Sequence, residues 1–231
     1  MKIIGFIAFL FSTLTAFSQQ NEVEKRLNEY GVRVDFLEHS IRNTKETYTY
    51  KYRMTYGDSN GRPIINESEY DPRRPMSQRW QLLTVNNHPP AKKELKKWNR
   101  LNNERAEEMD AEIDKSSYEI VVDNPVYFSY SFKYKEGSVS SNRKFLEDCI
   151  GYVYIEKASK KVTGIRYESI RETKVGLLNC SKLVINHDMD YDAENDIHLL
   201  TKEDFDMVVL VLGQETELQQ VGEYYDYNKI K

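Results

Sequence analysis

The chain has 231 residues, of which 39% are hydrophobic and 12% aromatic, and its formal net charge is −4. A mildly acidic chain with dispersed charge gives no electrostatic basis for binding nucleic acid. The length fits one β-rich domain, and 17 Tyr and 9 Phe residues supply enough large side chains to close its core.

The N-terminal residues have the three parts of a secretory signal peptide. Lys2 is followed by an apolar run, and small residues occupy positions 16 and 18. The run is shorter than the roughly 20 residues of a membrane-spanning helix, and no Cys stands at the cleavage point to carry a lipid anchor. We therefore expect residues 1–18 to be a signal peptide and residues 19–231 to be a single β-rich domain. The mature protein is expected to be periplasmic or secreted and not membrane-spanning.

The first predicted elements after the signal are a helix and a strand. Apolar residues recur at helical spacing over 22–42, where Gly31 weakens the middle of the helix and could mark a break. Strict alternation then predicts a strand over 47–56, in which every second residue is Tyr or Met: Tyr48, Tyr50, Tyr52, Met54 and Tyr56.

A second helix is predicted from Pro89-Pro90 to about Asp114, with Leu95, Trp98 and Ile113 among the residues of its apolar stripe. Its first half is basic and its second half acidic, which opposes the helix dipole. Two interpretations remain open: a basic patch for anionic headgroups or a partner, and a solvated helix whose charges pair along one face.

The remaining predicted elements are strands, with Phe128, Tyr130 and Phe132 on one face of the strand over 126–134. Together the elements predict an α+β fold. Its curved antiparallel sheet forms an incomplete barrel, and it carries an N-terminal helix and an inserted lid-like helix. The strands lie at 64–70, 80–85, 118–122, 126–134, 152–156, 162–168, 175–189, 207–212 and 217–227.

No residue pattern predicts catalysis or metal binding. Asp188, Asp190 and Asp192 have the spacing of a calcium loop, but Ala193 and Leu199 replace its required glycine and glutamate. The simpler interpretation is a strand with the three aspartates on its wet face. The four histidines lack ligand spacing, and the serines lack a nucleophile elbow. We predict no enzyme activity, no cofactor and no metal.

Two cysteines would enter an oxidising compartment, where a disulfide is chemically allowed. The predicted strand order places Cys180 beside residue 164, two strands away from Cys149. That separation exceeds the reach of a disulfide, so both thiols are expected to be free.

Two resemblances to known families add to this interpretation. Asp71–Pro75 (D-P-R-R-P), Arg79–Leu83 (R-W-Q-L-L) and Pro89-Pro90 resemble a D-P-x-x-P…R-W-x-L-L…P signature of uncharacterised bacterial exported proteins. The order of helices and strands also resembles the periplasmic lipoprotein-carrier (LolA-like) fold, an incomplete barrel whose concave face holds acyl chains beneath helical lids.

The carrier resemblance implies non-enzymatic binding of a lipid or other apolar ligand in the cell envelope, as a carrier or sensor. A lipid or an acylated protein would then be the partner. A filled core would show the same aromatic alternation, so the alternative is an envelope protein-interaction module without a ligand. For the carrier, eight residues are predicted to line the ligand site: Tyr48, Tyr50, Tyr52, Met54, Trp98, Phe128, Tyr130 and Phe132.

Overall fold

The computed structural model describes residues 19–58, 62–103, 111–211 and 213–230. The predicted signal peptide over 1–18 lies outside these residues. Within them, no helix is both long enough and apolar enough to cross a membrane.

The described residues form three α-helices and eleven β-strands. The helices are α1 (19–29), α2 (Phe36–Thr47) and α3 (Lys92–Asn103). The strands are β1 (Tyr48–Asp58), β2 (Ile64–Tyr70), β3 (Trp80–Val85), β4 (Ile113–Asp123), β5 (Tyr127–Tyr134), β6 (Cys149–Glu156), β7 (Lys161–Ser169), β8 (Thr173–Val175), β9 (Leu178–Asp192), β10 (Ile197–Val211) and β11 (Gln214–Lys229).

All eleven strands belong to one antiparallel sheet with the order β3-β2-β1-β11-β10-β9-β7-β6-β5-β4, and β8 pairs with β9. Successive strands mostly form hairpins, and the last strand, β11, pairs with the first. The path ends at β3 on one side and at β4 on the other, so the sheet does not close into a barrel. The predicted antiparallel sheet is confirmed.

The N-terminal helical region consists of two helices. Gly31 has a φ of 68°, in the left-handed region that favours glycine, and it ends the turn that follows α1. The apolar stripe predicted over 22–42 is therefore divided between α1 and α2. The sequence left open a break at Gly31, and the structure has the break there.

Helix α3, which corresponds to the predicted second helix, ends earlier than predicted. It covers Lys92–Asn103, whereas Ile113 and Asp114 already belong to β4 and pair with Tyr134 and Lys133. Helical spacing had placed Ile113 on the apolar stripe, but pairing with β5 satisfies its backbone in a strand. The prediction of a helix to about Asp114 was wrong over these two residues.

Two clusters of buried side chains lie on the same face of the sheet. The larger one packs Val23 and Leu27 of α1 and Phe36 of α2 against strands β4 to β9. The smaller one is aromatic and contains Tyr48, Tyr50, Tyr70 and Ile197.

We call the face that carries both clusters the inner face. Directly paired residues in antiparallel strands point to the same side of a sheet. Pairing therefore traces one continuous row across it: Tyr130, Val153, Ile165, His187, Glu203, Gly222, Met54, Asn66 and Val85.

Candidate functional site

Tyr48, Tyr50 and Tyr52 of the predicted site lie in or beside the aromatic cluster at one end of β1. Each is at most 6% exposed. The ring of Tyr50 stacks on that of Tyr70 with centroids 5.0 Å apart, and it meets the edge of Trp80 at 5.6 Å. These rings contact one another, and burial raises the pKa of the Tyr50 hydroxyl well above its ordinary value.

Phe128, Tyr130 and Phe132 of the predicted site lie under the N-terminal helices. Each is at most 1% exposed, and the ring of Phe128 lies 5.7 Å from that of Tyr30. Dense packing of this kind accounts for the aromatic alternation of β5 as core formation. None of the three lines either of the two cavities described below.

Trp98, the predicted lid residue, lies apart from both groups. Its side chain is 6% exposed on α3, which contacts β3 and the short 3-10 turn Met76–Gln78. The structure therefore separates the eight predicted residues into three groups. Their contact with a ligand stays a prediction.

A polar group occupies the middle of the inner-face row. The Tyr52 hydroxyl donates a 2.6 Å hydrogen bond to Oε1 of Glu203, and Nε2 of His187 lies 3.8 Å from the other oxygen of that carboxylate. Burial lowers the pKa of His187 below its ordinary value, against the smaller raising effect of Glu203. The imidazole is therefore neutral at pH 7.

Beyond Glu203, the inner face carries an apolar strip that the sequence did not reveal. Phe205 and Met207 on β10 are partly buried and pack against the rim of the larger cluster. Pairing continues from Phe205 through Gln220 of β11 and Tyr56 of β1 to Ile64 of β2, which is 36% exposed. We call this set the inner-face strip: Met54, Tyr56, Ile64, Phe205, Met207 and Leu218.

The inner-face strip lies away from the helix that crosses these strands. Helix α2 contacts β10 and β1, and its hydrogen bonds to the sheet run from the His198 amide to Ser40 and from the Tyr70 hydroxyl to the carbonyl of Lys45. Met207 is nine positions along β10 from His198, or about 30 Å at strand spacing. The strip is thus a mainly apolar, partly exposed surface that includes Gln220 in its pairing row and has Glu203 at one border.

Metal binding finds no support among the described residues. They contain no group of three or more His, Cys, Asp or Glu side chains that could hold a metal ion. Asp188 and Asp190 are exposed on β9, as the strand interpretation requires. Asp192 accepts hydrogen bonds from the Tyr48 hydroxyl at 2.5 Å and from the Asn195 side chain at 2.7 Å, which lower the pKa of its carboxyl.

Two cavities lie between described residues, and none of the eight predicted residues lines either one. A cavity of about 370 Å³ lies among charged side chains that include Glu38, Glu112 and Lys135. A second cavity, of about 210 Å³, lies beside His198.

Comparison with known proteins gives one distant likeness. No family model matches the sequence, and no curated protein matches it. The crystal structure of the LolA superfamily protein NE2245 from Nitrosomonas europaea is similar, with 9% sequence identity and a TM-score of 0.36. The likeness covers 84% of this chain and 93% of that chain. It is too distant to transfer a ligand or a function.

Proposed function

We propose that this protein binds a lipid or other apolar chain on the inner-face strip, without catalysis, in the periplasm or outside the cell. The observation that carries the proposal is the strip itself. Partly exposed apolar side chains on four adjacent strands share the face of the buried core, with the polar Gln220 between Phe205 and Tyr56. A large group of exposed apolar side chains is unfavourable in water and commonly marks a binding site.

The ligand would lie along the face of the sheet, because the interior next to the strip is filled by the larger cluster. Each buried methylene contributes about 0.8 kcal/mol. A chain of ordinary acyl length would then bind with a dissociation constant on the order of micromolar after the costs of association.

Of the eight predicted site residues, Met54 would contact the ligand directly. Tyr52 would act from the side, because its hydroxyl holds the Glu203 carboxylate at the border of the strip. The proposed role of the other tyrosines and of Phe128, Tyr130 and Phe132 is to stabilise the sheet through the two buried clusters, which lie on the same face as the ligand. Trp98 would contact the ligand only if α3 lay against the bound apolar chain.

The test is binding of a fluorescent fatty-acid analogue to the full chain, together with mass spectrometry of lipids that co-purify from its native envelope. Met207→Glu places a charge within the strip and should weaken binding at least roughly tenfold. Leu210→Glu is the matched control, because Leu210 is 42% exposed on the opposite face of the same strand. Equal weakening by both variants, or the absence of saturable binding and of co-purified lipid, would overturn the proposal.

A second candidate function is protein binding at the end of the sheet. Leu177 is fully exposed in the turn between β8 and β9, and Leu178 and its near neighbour Val211 are 37% and 45% exposed. A partner that buries this apolar end would protect its amides from hydrogen exchange. Leu177→Ser should then reduce the yield of the cross-link to that partner in the envelope. Fatty-acid binding should be unchanged in this variant.

A further inference from the structure

The cavity of about 210 Å³ lies at the opposite end of β10 from the inner-face strip. Its walls come from the segment between α1 and α2, the first turns of α2, the turn between β6 and β7, and the turn between β9 and β10. Six of its lining residues carry the argument: Arg33, Phe36, Lys160, Lys161, Tyr191 and His198.

The lining has an excess of positive charge. Arg33 is paired with Asp35 at 3.0 Å, and Asp196 accepts a 2.8 Å hydrogen bond from the Tyr191 hydroxyl. Lys160 and Lys161 form no ion pair with a described carboxylate. The lining thus holds two lysine ammonium groups and one carboxylate, that of Asp196. One ammonium group has no counter-charge in the lining.

Lys161 is positioned by an aromatic ring. Its Nζ lies 4.6 Å from the centroid of Tyr191, within the range of a cation–π interaction. Tyr191 in turn lies 4.9 Å from the ring of His198, and Phe36 meets the same imidazole at 5.8 Å. The ammonium group therefore borders the first of three aromatic rings in mutual contact, which offer a surface for the apolar body of a ligand.

His198 supplies a hydrogen-bond donor that no described residue uses. The residue is only 8% exposed, and its Nε2 accepts the backbone N–H of Val162 at 3.3 Å. An accepting Nε2 places the ring proton on Nδ1. No acceptor for Nδ1 occurs among the described residues. Burial lowers the pKa of His198 to about 4, so this donor is neutral at pH 7.

We infer that this cavity binds a small organic monoanion, with its carboxylate between Lys161 and the Nδ1–H of His198 and its apolar body against Phe36 and Tyr191. A charge-assisted hydrogen bond to the ammonium and a neutral one to the imidazole match the two oxygens of a carboxylate. The site is independent of the inner-face strip, which lies about 30 Å away along β10.

The experiment is calorimetric titration of the full chain with benzoate, with benzamide as the uncharged analogue and inorganic phosphate as an anion without an apolar body. Benzoate should bind once per chain and shift the amide resonances of Lys161 and His198, whereas benzamide and phosphate should bind roughly tenfold more weakly. Lys161→Met should weaken benzoate binding roughly tenfold, and Lys161→Arg should retain most of it because the charge remains.

Lys133→Met is the matched control, because Lys133 is exposed on β5 and does not line the cavity. Binding by this variant should be unchanged. The inference is overturned if benzamide binds as well as benzoate, if Lys133→Met weakens binding as much as Lys161→Met, or if benzoate moves no amide resonance at the cavity.

Discussion

The Tyr52 hydroxyl and the Glu203 carboxylate are joined by a 2.6 Å hydrogen bond that spans the strand between them. Tyr52 lies on β1 and Glu203 on β10, and β11 separates the two strands. Gly222 of β11 pairs with Glu203 on one side and with Met54 on the other. The absence of a side chain at Gly222 leaves the space through which the tyrosine reaches the carboxylate.

Replacement of Gly222 by alanine should therefore destabilise the protein. A Cβ there would lie 2.6 Å from Cε2 of Tyr52 and 2.8 Å from Cγ of Glu203, so two side chains would have to move. We expect Gly222→Ala to lower the free energy of unfolding by about 1–3 kcal/mol, measured by urea denaturation. Gly57→Ala on β1 is the control, because its new Cβ would be 3.3 Å from the nearest atom. A loss at Gly57 as large as that at Gly222 would contradict this explanation.

Removal of the Tyr52 hydroxyl tests the hydrogen bond between Tyr52 and Glu203 directly. Tyr52→Phe leaves the Glu203 carboxylate, which is 13% exposed, without its close donor. The expected loss in the free energy of unfolding at pH 7 is about 1.5–3 kcal/mol, the usual range for a hydrogen bond to a charged group.

Tyr225→Phe is the matched control for Tyr52→Phe. The Tyr225 hydroxyl also donates to a carboxylate, that of Glu67 at 3.1 Å, but Arg53 binds the same oxygen at 2.8 Å. The carboxylate therefore keeps a charged donor, and the loss should stay below about 1 kcal/mol. Equal losses in the two variants would show that Glu203 does not depend on Tyr52.

The sequence predicts the strands well where aromatic residues alternate, and less well where charges interrupt them. The predicted strands over 47–56 and 126–134 match β1 and β5 to within two residues at each end. The first half of β10 was not predicted, because Lys202, Glu203 and Asp204 conceal its inward-facing side. A sequence pattern cannot show that an inward Glu203 is satisfied by a tyrosine about 150 residues away.

The candidate site could be predicted only in part for a related reason. Met54 belonged to the predicted site, but Phe205, Met207 and Leu218 join it only through the pairing of β11 with β1. Alternation identifies which residues share a face of one strand, and it carries no information about which distant strand lies alongside. The aromatic residues that alternate most strictly proved to be the most densely packed.

The stability of the protein should fall as the pH drops from about 6.5 to about 4. Burial lowers the pKa of His198 to about 4 in the folded state, whereas an unfolded histidine titrates near 6.5. The unfolded state therefore takes up the proton first, and His198 contributes an upper limit of about 3 kcal/mol to the loss. His187, whose pKa is also lowered by burial, acts in the same direction.

Urea denaturation at a series of pH values measures this dependence. His198→Gln should reduce the slope between pH 6.5 and 4, because a glutamine oxygen can still accept the Val162 N–H without titrating. His88→Gln should leave the slope unchanged, since His88 is exposed. Carboxyl groups such as Asp71, whose pKa its Arg73 partner lowers to about 2, act only at lower pH. An unaltered slope in His198→Gln would contradict the assignment.

Both cysteines should be unreactive in the folded protein and free after denaturation without reductant. The structure contains two unbonded thiols, at Cys149 and Cys180, which are 2% and 1% exposed. The expected free state agrees, but the register behind it was wrong: Gly164 pairs with Asp188, and Cys180 pairs with Thr173.

Burial protects the two thiols chemically as well as sterically. It raises the pKa of Cys149 to about 12 and also raises that of Cys180, so the reactive thiolate is scarce at neutral pH. A chromogenic thiol reagent should therefore find no rapidly reacting thiol in native protein and two per chain in denaturant. A chain reduced before denaturation serves as the reference for two thiols. Two missing thiols in the unreduced, denatured sample would establish a disulfide and require a different arrangement of β6, β8 and β9.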